Sequence, residues 1–188
     1  MRILIISPQR TGGNVFSKWL SFELSYKWVH EPFNINNNLL DKISYFMELD
    51  NVVMKLNPFE WRHYYDDETL YKSFDKIIGL AREDVLDSSI SYTKAIKTNN
   101  FTKRYNIDEK WIKDNEEEIN NNLNHLSDIN NFVKEIDNSL QITYEGIYQN
   151  KNDIEKVKKY IGINDLKYVD MLDNKNRYRN NNNPQKLI

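Results

Sequence analysis

The chain has 188 residues, of which 39% are hydrophobic and 29% charged, so it can form one domain with a sizeable core. A formal net charge of −2 gives no global electrostatic case for binding nucleic acid or an acidic membrane. The absence of cysteine excludes disulfides, thiolate metal sites and cysteine nucleophiles.

The N-terminal apolar run, Ile3–Ile6, is too short for a signal peptide, and no window reaches the length of a membrane span. We therefore expect a cytoplasmic protein with no membrane partner. Residues 1–172 are predicted to form a single domain, and residues 173–188 a polar tail.

Apolar runs and helical periodicities alternate along the chain. The predicted elements, in order, are strand Ile3–Ser7, helix Asn14–Tyr26, strand Trp28–Val29, helix Leu39–Leu49, strand Val52–Leu56, helix Glu68–Phe74, strand Lys76–Ala81, helix Glu83–Lys97, helix Asp108–Asp137, strand Leu140–Thr143 and helix Ile154–Ile161, which Gly162 ends. This alternation predicts an α/β fold with a central parallel sheet covered by helices on both faces. Ligands of such sheets bind beyond the carboxyl ends of the strands. The loop after Ile6 and the segments around Lys55–Asn57 and Arg82 should therefore lie at one edge.

The loop SPQRTGGN, residues 7–14, joins the first strand to the first helix. Gly12 and Gly13 can adopt positive φ and let an anion approach the backbone amides at the helix start. Arg10 adds a forked cation suited to phosphate or sulfate oxygens. The nucleotide-triphosphate pattern GxxxxGK[ST] and the dinucleotide pattern GxGxxG are both absent.

Arg10-Thr11-Gly12 resembles the centre of the P-[RK]-[ST]-G-[ST]-[ST] loop of sulfotransferases that use 3′-phosphoadenosine 5′-phosphosulfate. The departures are Gln9, which follows Pro8, and Gly13-Asn14 in place of two hydroxyl residues. The resemblance implies a P-loop-like sulfotransferase fold and a 5′-phosphosulfate site. That site would be formed by Arg10, Thr11, Gly12, Gly13, Asn14 and Val15.

The stretch LAREDVLDSSISYTKA, residues 80–95, resembles a second motif, found in bacterial trehalose-type sulfotransferases. The matching positions are Leu80, Arg82, Asp84, Ser91 and Ala95. In that family the Arg and the helix Ser bind the 3′-phosphate of the donor, which implies this role for Arg82 and Ser91. Ser88 shares a helix face with Ser91 and is an alternative or a partner. Residues 142–163 resemble a later segment of the family, in which Tyr144 and Glu145 are expected to be structural.

Two further segments supply candidate catalytic residues by resemblance. VVMKLNP resembles the family's I-K-T-H-x-P, in which the Lys, here Lys55, contacts the transferring group. Asn57 stands where cytosolic members have a catalytic His. WVHEPF resembles an element of carbohydrate sulfotransferases whose Glu, here Glu31, is the general base. His30 is the alternative base, and successive residues of an extended segment point in opposite directions.

The sequence therefore predicts a sulfotransferase that moves a sulfuryl group from 3′-phosphoadenosine 5′-phosphosulfate to an acceptor hydroxyl or amine. Glu31, Arg10 and Lys55 would be catalytic, and no metal is expected. The resemblance of WVHEPF favours a carbohydrate acceptor. The aromatic residues Trp61, Tyr64 and Tyr65 could stack on a sugar or equally on a phenol. The alternatives are a catalytically degenerate protein of this fold that binds a nucleotide or partner, and a kinase-like phosphotransferase that needs Mg²⁺ and ATP. The acceptor's identity and the oligomeric state remain open.

Overall fold

The structure is a computed structural model, and it describes residues 1–32, 48–59, 72–101 and 105–163. Five strands and six helices are assigned in this part of the chain. In order they are β1 (Arg2–Ile6), α1 (Gly13–Glu23), β2 (Lys27–His30), β3 (Val52–Leu56), β4 (Lys76–Ala81), α2 (Val85–Thr98), α3 (Glu109–Asp114), α4 (Glu116–Lys134), β5 (Leu140–Thr143), α5 (Tyr144–Tyr148) and α6 (Asn152–Ile161).

The strands form one sheet in the order β2-β3-β1-β4-β5, and every pairing is parallel. Strand β1 lies at the centre, with Ile5 paired to Lys55 of β3 and to Ile78 of β4. Parallel strands need crossover connections, and helices provide them. The predicted α/β class, with a central parallel sheet flanked by helices, is confirmed.

Both faces of the sheet are buried. Ile3 and Ile5 pack with residues of α1 and α6 on one face, whereas Leu4 and Ile6 pack with the end of α4 on the other. Each of these four β1 side chains is fully buried, and burial of one such side chain stabilises the fold by about 1.5–3 kcal/mol. The continuous apolar run of β1 reflects this two-sided burial.

The predicted long helix Asp108–Asp137 is wrong, because α3 and α4 are separate helices. The break is at Asn115, whose φ of −126° and ψ of 20° are not helical. Its side-chain amide donates to the Trp111 carbonyl at 2.7 Å. An Asn side chain can compete in this way for backbone groups and interrupt a helix, while the apolar spacing continues across the break.

One helix start and one short helix also differ from expectation. The helix predicted from Glu83 begins at Val85, because Asp84 is its N-cap and accepts a hydrogen bond from the Asp87 amide at 2.9 Å. The short helix α5 was not predicted. It directly follows β5, and the Thr143 hydroxyl caps it by accepting from the Gly146 amide at 2.9 Å.

Several predictions lie outside the described residues. They are most of helix Leu39–Leu49, the start of helix Glu68–Phe74, the aromatic residues Trp61, Tyr64 and Tyr65, and the tail 173–188. Among the helices that the structure does describe, none is long and apolar enough to cross a membrane.

Candidate functional site

The predicted site residues gather at the carboxyl edge of the sheet. His30 and Lys55 are paired where β2 and β3 end, and the Glu31 amide donates to the Lys55 carbonyl at 2.8 Å. Arg82 directly follows β4. The loop after β1 lies between these two groups because β1 is flanked by β3 and β4. The expectation that three segments share one edge is confirmed.

Close packing requires both glycines of the loop. Gly12 has a φ of +76°, and a Cβ there would lie 2.6 Å from the Tyr148 ring. The Tyr148 hydroxyl donates to the Gly12 carbonyl at 2.7 Å, which holds the turn against α5. A Cβ on Gly13 would lie 1.8 Å from Ser7 Oγ. The backbone therefore approaches its neighbours more closely than a larger residue allows.

The start of α1 has the features of an anion-binding helix end. No side chain in the described part of the chain caps it, and its first turn contains no acidic residue. The amides of Gly13 and Asn14 have no acceptor within the helix, because the helical bonds begin with Val15 and Phe16, which donate to the Gly12 carbonyl at 3.0 Å. The helix dipole adds positive potential at this point.

Three other loop residues have defined intramolecular contacts. The Thr11 hydroxyl is buried and donates to the Pro8 carbonyl at 2.7 Å, so it stabilises the turn. The amide of Val15 is already used in the first helical turn. Asn14 Oδ1 lies 2.9 Å from His30 Nε2, which connects the helix start to the end of β2.

Lys55 and Glu31 form an ion pair beside the helix start. Lys55 Nζ donates to Glu31 Oε1, and the Lys55 side chain is only 3% exposed. Lys55 Cε lies 3.5 Å from the position that a Cβ on Gly13 would take, so this lysine lies against the loop. Burial raises the pKa of Glu31, but the charge and hydrogen bond of Lys55 lower it by more. The net shift of the Glu31 pKa is therefore downward.

The expectation that His30 and Glu31 point in opposite directions is wrong. Glu31 has a φ of +41°, so the chain leaves the extended conformation immediately after His30. As a result, His30 Nε2 lies 3.8 Å from Glu31 Oε1. Both candidate bases therefore lie in the same group of side chains.

Arg10 turns toward α2 on the other side of the loop. Its Nε donates to Ser91 Oγ at 2.9 Å, and its Nη1 donates to the Phe101 carbonyl at 2.6 Å. Arg10 has a φ of +63°, the left-handed conformation in which its backbone turns. Burial lowers the pKa of Arg10, and the nearby charge of Arg82 lowers it further, while Tyr105 and Asp87 oppose that shift.

Arg82 is buried and held from several sides. Its Nη1 donates to the Arg10 carbonyl at 2.9 Å, and its Nη2 pairs with Asp87 Oδ2. Its guanidinium carbon lies 4.4 Å from the centre of the Tyr144 ring, and its Nε lies 3.9 Å from Glu145 Oε1. The two arginines and their carboxylates thus form a second charged group beside the loop.

Ser91 and Ser88 have different contacts. Ser91 accepts the hydrogen bond from Arg10 and keeps its own hydroxyl proton for another acceptor. Ser88 is buried and donates to the Gln9 carbonyl at 3.5 Å. The roles assigned to these serines by resemblance stay predictions.

Sequence reasoning missed Asp87 and Asn130. Asn130 is buried in α4 and forms a two-way clamp on the backbone of Arg82, accepting from its amide at 2.8 Å and donating to its carbonyl at 2.7 Å. Glu145, expected to be structural, accepts from the amides of Glu83 and Asp84 at 2.9 and 3.3 Å. Asp87 stands at the third helical position after an Asp N-cap, a pattern that marks a helix start and could have drawn attention to it.

A groove of about 380 Å³ opens next to this edge, between the ends of β4 and β5 and the start of α6. It is lined by Thr143, Asn150 and Asp153, among others, and by none of the predicted site residues. We place the candidate site at the loop instead, where the cations and free amides converge. In the described ranges, no three His, Asp or Glu side chains cluster as metal ligands, and the expected absence of a metal stays a prediction.

Comparison with known proteins shows a likeness to solved structures. No family model matches the chain, and no curated protein matches it. A solved structure, a sulfotransferase from Alicyclobacillus acidocaldarius, is similar over 88% of this chain and 82% of that chain, with a TM-score of 0.46 and 12% sequence identity. A likeness of this size assigns neither an activity nor a role to any residue.

Proposed function

We propose that this protein is a sulfotransferase that moves a sulfuryl group from 3′-phosphoadenosine 5′-phosphosulfate to an acceptor hydroxyl. The observation that carries the proposal is the arrangement around the uncapped start of α1. Buried Lys55 lies on one side of it, and the buried Arg82, with Arg10, on the other. Two separate groups of cations suit a donor that has anions at both its 5′ and 3′ positions.

The donor would be held mainly by backbone groups and arginines. The free amides of the α1 start suit the 5′-phosphosulfate, because helix starts bind such anions well. Arg82 and Ser91 would bind the 3′-phosphate. Arg10 would assist on that side, since its side chain contacts Ser91. Among the residues that the structure describes, the buried Ser7 hydroxyl has no hydrogen-bond partner. It lies directly beside Gly13, which also fits a polar ligand here.

The transfer itself needs one base and one cation. The acceptor oxygen forms a bond to sulfur while the bond between sulfur and the bridging phosphate oxygen breaks, and that oxygen leaves with the electron pair. Glu31 takes the acceptor proton, and Lys55 stabilises the charge on the leaving phosphate. In the structure Lys55 keeps Glu31 ionised. A shift of Lys55 toward the leaving oxygen would make Glu31 a stronger base.

The experiment is a transfer assay with radiolabelled donor and a panel of acceptors that contains sugars, phenols and amines. We expect acceptor-dependent formation of 3′,5′-adenosine bisphosphate with at least one sugar. Glu31→Gln should lower kcat by about 10²–10⁴-fold, the usual contribution of a general base, with little change in the KM for the donor.

His30→Gln is the matched control, because His30 touches the same carboxylate. A large kcat loss in His30→Gln with none in Glu31→Gln would assign the base to His30. Thermal unfolding of both variants shows whether a loss of activity is a loss of fold. Donor turnover that is absent with every acceptor class would contradict the proposed transfer.

A further inference from the structure

The ion pair between Arg82 and Asp87 bears on how a nucleotide is selected. Arg82 Nη1 is bonded to the Arg10 carbonyl, its Nε faces Glu145, and its flat face lies on Tyr144. At the other terminal nitrogen, Nη2 donates to Asp87 Oδ2. A phosphate oxygen that approaches Nη2 therefore competes with the Asp87 carboxylate.

Exposure shows which partner would yield. The Arg82 side chain is 11% exposed, whereas that of Asp87 is 61% exposed. Asp87 lies in the first turn of α2, so its carboxylate can rotate into water without opening the core. Arg82 is fixed by Asn130 at both of its backbone groups and has no comparable freedom.

The local charges point in the same direction. The Arg82 guanidinium faces two carboxylates, of Asp87 and Glu145, and the Arg10 guanidinium interacts electrostatically with Arg82 and Asp87. The group is thus neutral before any ligand binds, and a doubly charged phosphate makes it negative. Like charges within a few ångströms oppose binding, and the effect is stronger where water is partly excluded.

We propose that Asp87 determines nucleotide specificity by competing with the 3′-phosphate for Arg82. This inference rests on the proposed function, because it takes the nucleotide site as given. Asp87 weakens the binding of 3′-phosphorylated nucleotides and leaves that of 3′-hydroxyl nucleotides unchanged. The protein therefore distinguishes the two classes less sharply than its arginines alone would allow.

The test is calorimetric titration of wild type and Asp87→Asn with two probes, 3′,5′-adenosine bisphosphate and 5′-AMP. Asn keeps the size of the side chain and removes the charge. We expect Asp87→Asn to bind the bisphosphate about tenfold more tightly, the effect of one nearby charge at a partly exposed site, and 5′-AMP equally well. In Arg82→Gln/Asp87→Asn the gain should disappear.

Glu83→Gln is the matched control. Glu83 is exposed in the adjacent loop, and its substitution by Gln removes one negative charge, as Asp87→Asn does. An equal gain in both single variants would show a general charge effect and overturn the proposal. Weaker bisphosphate binding in Asp87→Asn would show that Asp87 only positions Arg82, and would also overturn it. After either of these two results, bisphosphate binding by the wild-type protein would still support the proposed function. If neither the wild-type protein nor Asp87→Asn bound the bisphosphate, the proposed function and the role of Asp87 would both be contradicted.

Discussion

The buried ion pair between Lys55 and Glu31 allows a quantitative test of the site's internal electrostatics. The Lys55 side chain is 3% exposed and that of Glu31 is 22% exposed. Glu31→Gln leaves an almost fully buried ammonium without its carboxylate, a change that costs about 3–5 kcal/mol at fully buried sites. We expect about 2–4 kcal/mol here, because Gln keeps a hydrogen-bond acceptor and Glu31 is partly exposed.

The double-mutant cycle isolates the interaction. Lys55→Met removes the ammonium together with the need for a counter-charge, so we expect Glu31→Gln to cost much less in that background. The coupling free energy should be about 2 kcal/mol, measured by urea unfolding of the four proteins. A coupling below about 0.5 kcal/mol would show that the two groups act independently and would refute the buried-pair reasoning.

The remaining predictions concern pH, the loop and the Arg82 clamp. In the folded protein the pKa of Glu31 lies below its ordinary value of 4.5. Its carboxylate therefore stabilises the fold above pH 4.5, and this stabilisation is lost as the pH falls through the folded pKa. The free energies of unfolding of wild type and Glu31→Gln should become equal only in acid. Gly13→Ala should destabilise the fold by about 1–3 kcal/mol, because its Cβ would meet Ser7 Oγ at 1.8 Å, and Ser7→Gly should restore most of the loss in chemical unfolding. Asn130→Ala should cost about 2–3 kcal/mol by leaving two buried backbone groups of Arg82 unpaired, whereas the exposed neighbour Asn131→Ala should be near neutral; a similar loss in both would contradict the clamp.

The architecture of the sheet could be predicted from the sequence because its signals are local. The apolar runs of β1, β3 and β4 reveal strands buried on both faces, and the glycines at 12 and 13 mark a loop that opens a helix. The alternation of strands and helices then requires parallel pairing. Because the strands are parallel, their carboxyl ends lie at one edge of the sheet. The candidate site residues, which follow these strand ends, lie at the same edge.

The side-chain partners could not be predicted, because they depend on contacts between distant segments. Arg10 meets Ser91, which is 81 positions away, and Asn130 meets Arg82 across 48 positions. The periodicity of apolar residues along the sequence contains no information about such distant pairs. The break at Asn115 was not predicted, because the apolar spacing of α3 and α4 continues through it. One side-chain hydrogen bond, from Asn115 to the Trp111 carbonyl, ends the first helix.

The prediction that the side chains of His30 and Glu31 point in opposite directions was wrong because of the backbone conformation at Glu31. The rule of alternating side chains holds only in extended chain, and Glu31 has left-handed backbone geometry. Positive φ at a residue other than glycine costs free energy and is found where surrounding contacts fix it. Here the Glu31 amide bonds to the Lys55 carbonyl, and its carboxylate bonds to the Lys55 ammonium.

Calorimetric titration of the wild-type protein with 3′,5′-adenosine bisphosphate, with Mg²⁺-ATP as the comparison, tests the central claim most directly. We expect the bisphosphate to bind more tightly than Mg²⁺-ATP, and Arg82→Ala to abolish that preference. A preference for Mg²⁺-ATP, or bisphosphate binding that survives Arg82→Ala unchanged, would contradict the proposed donor site.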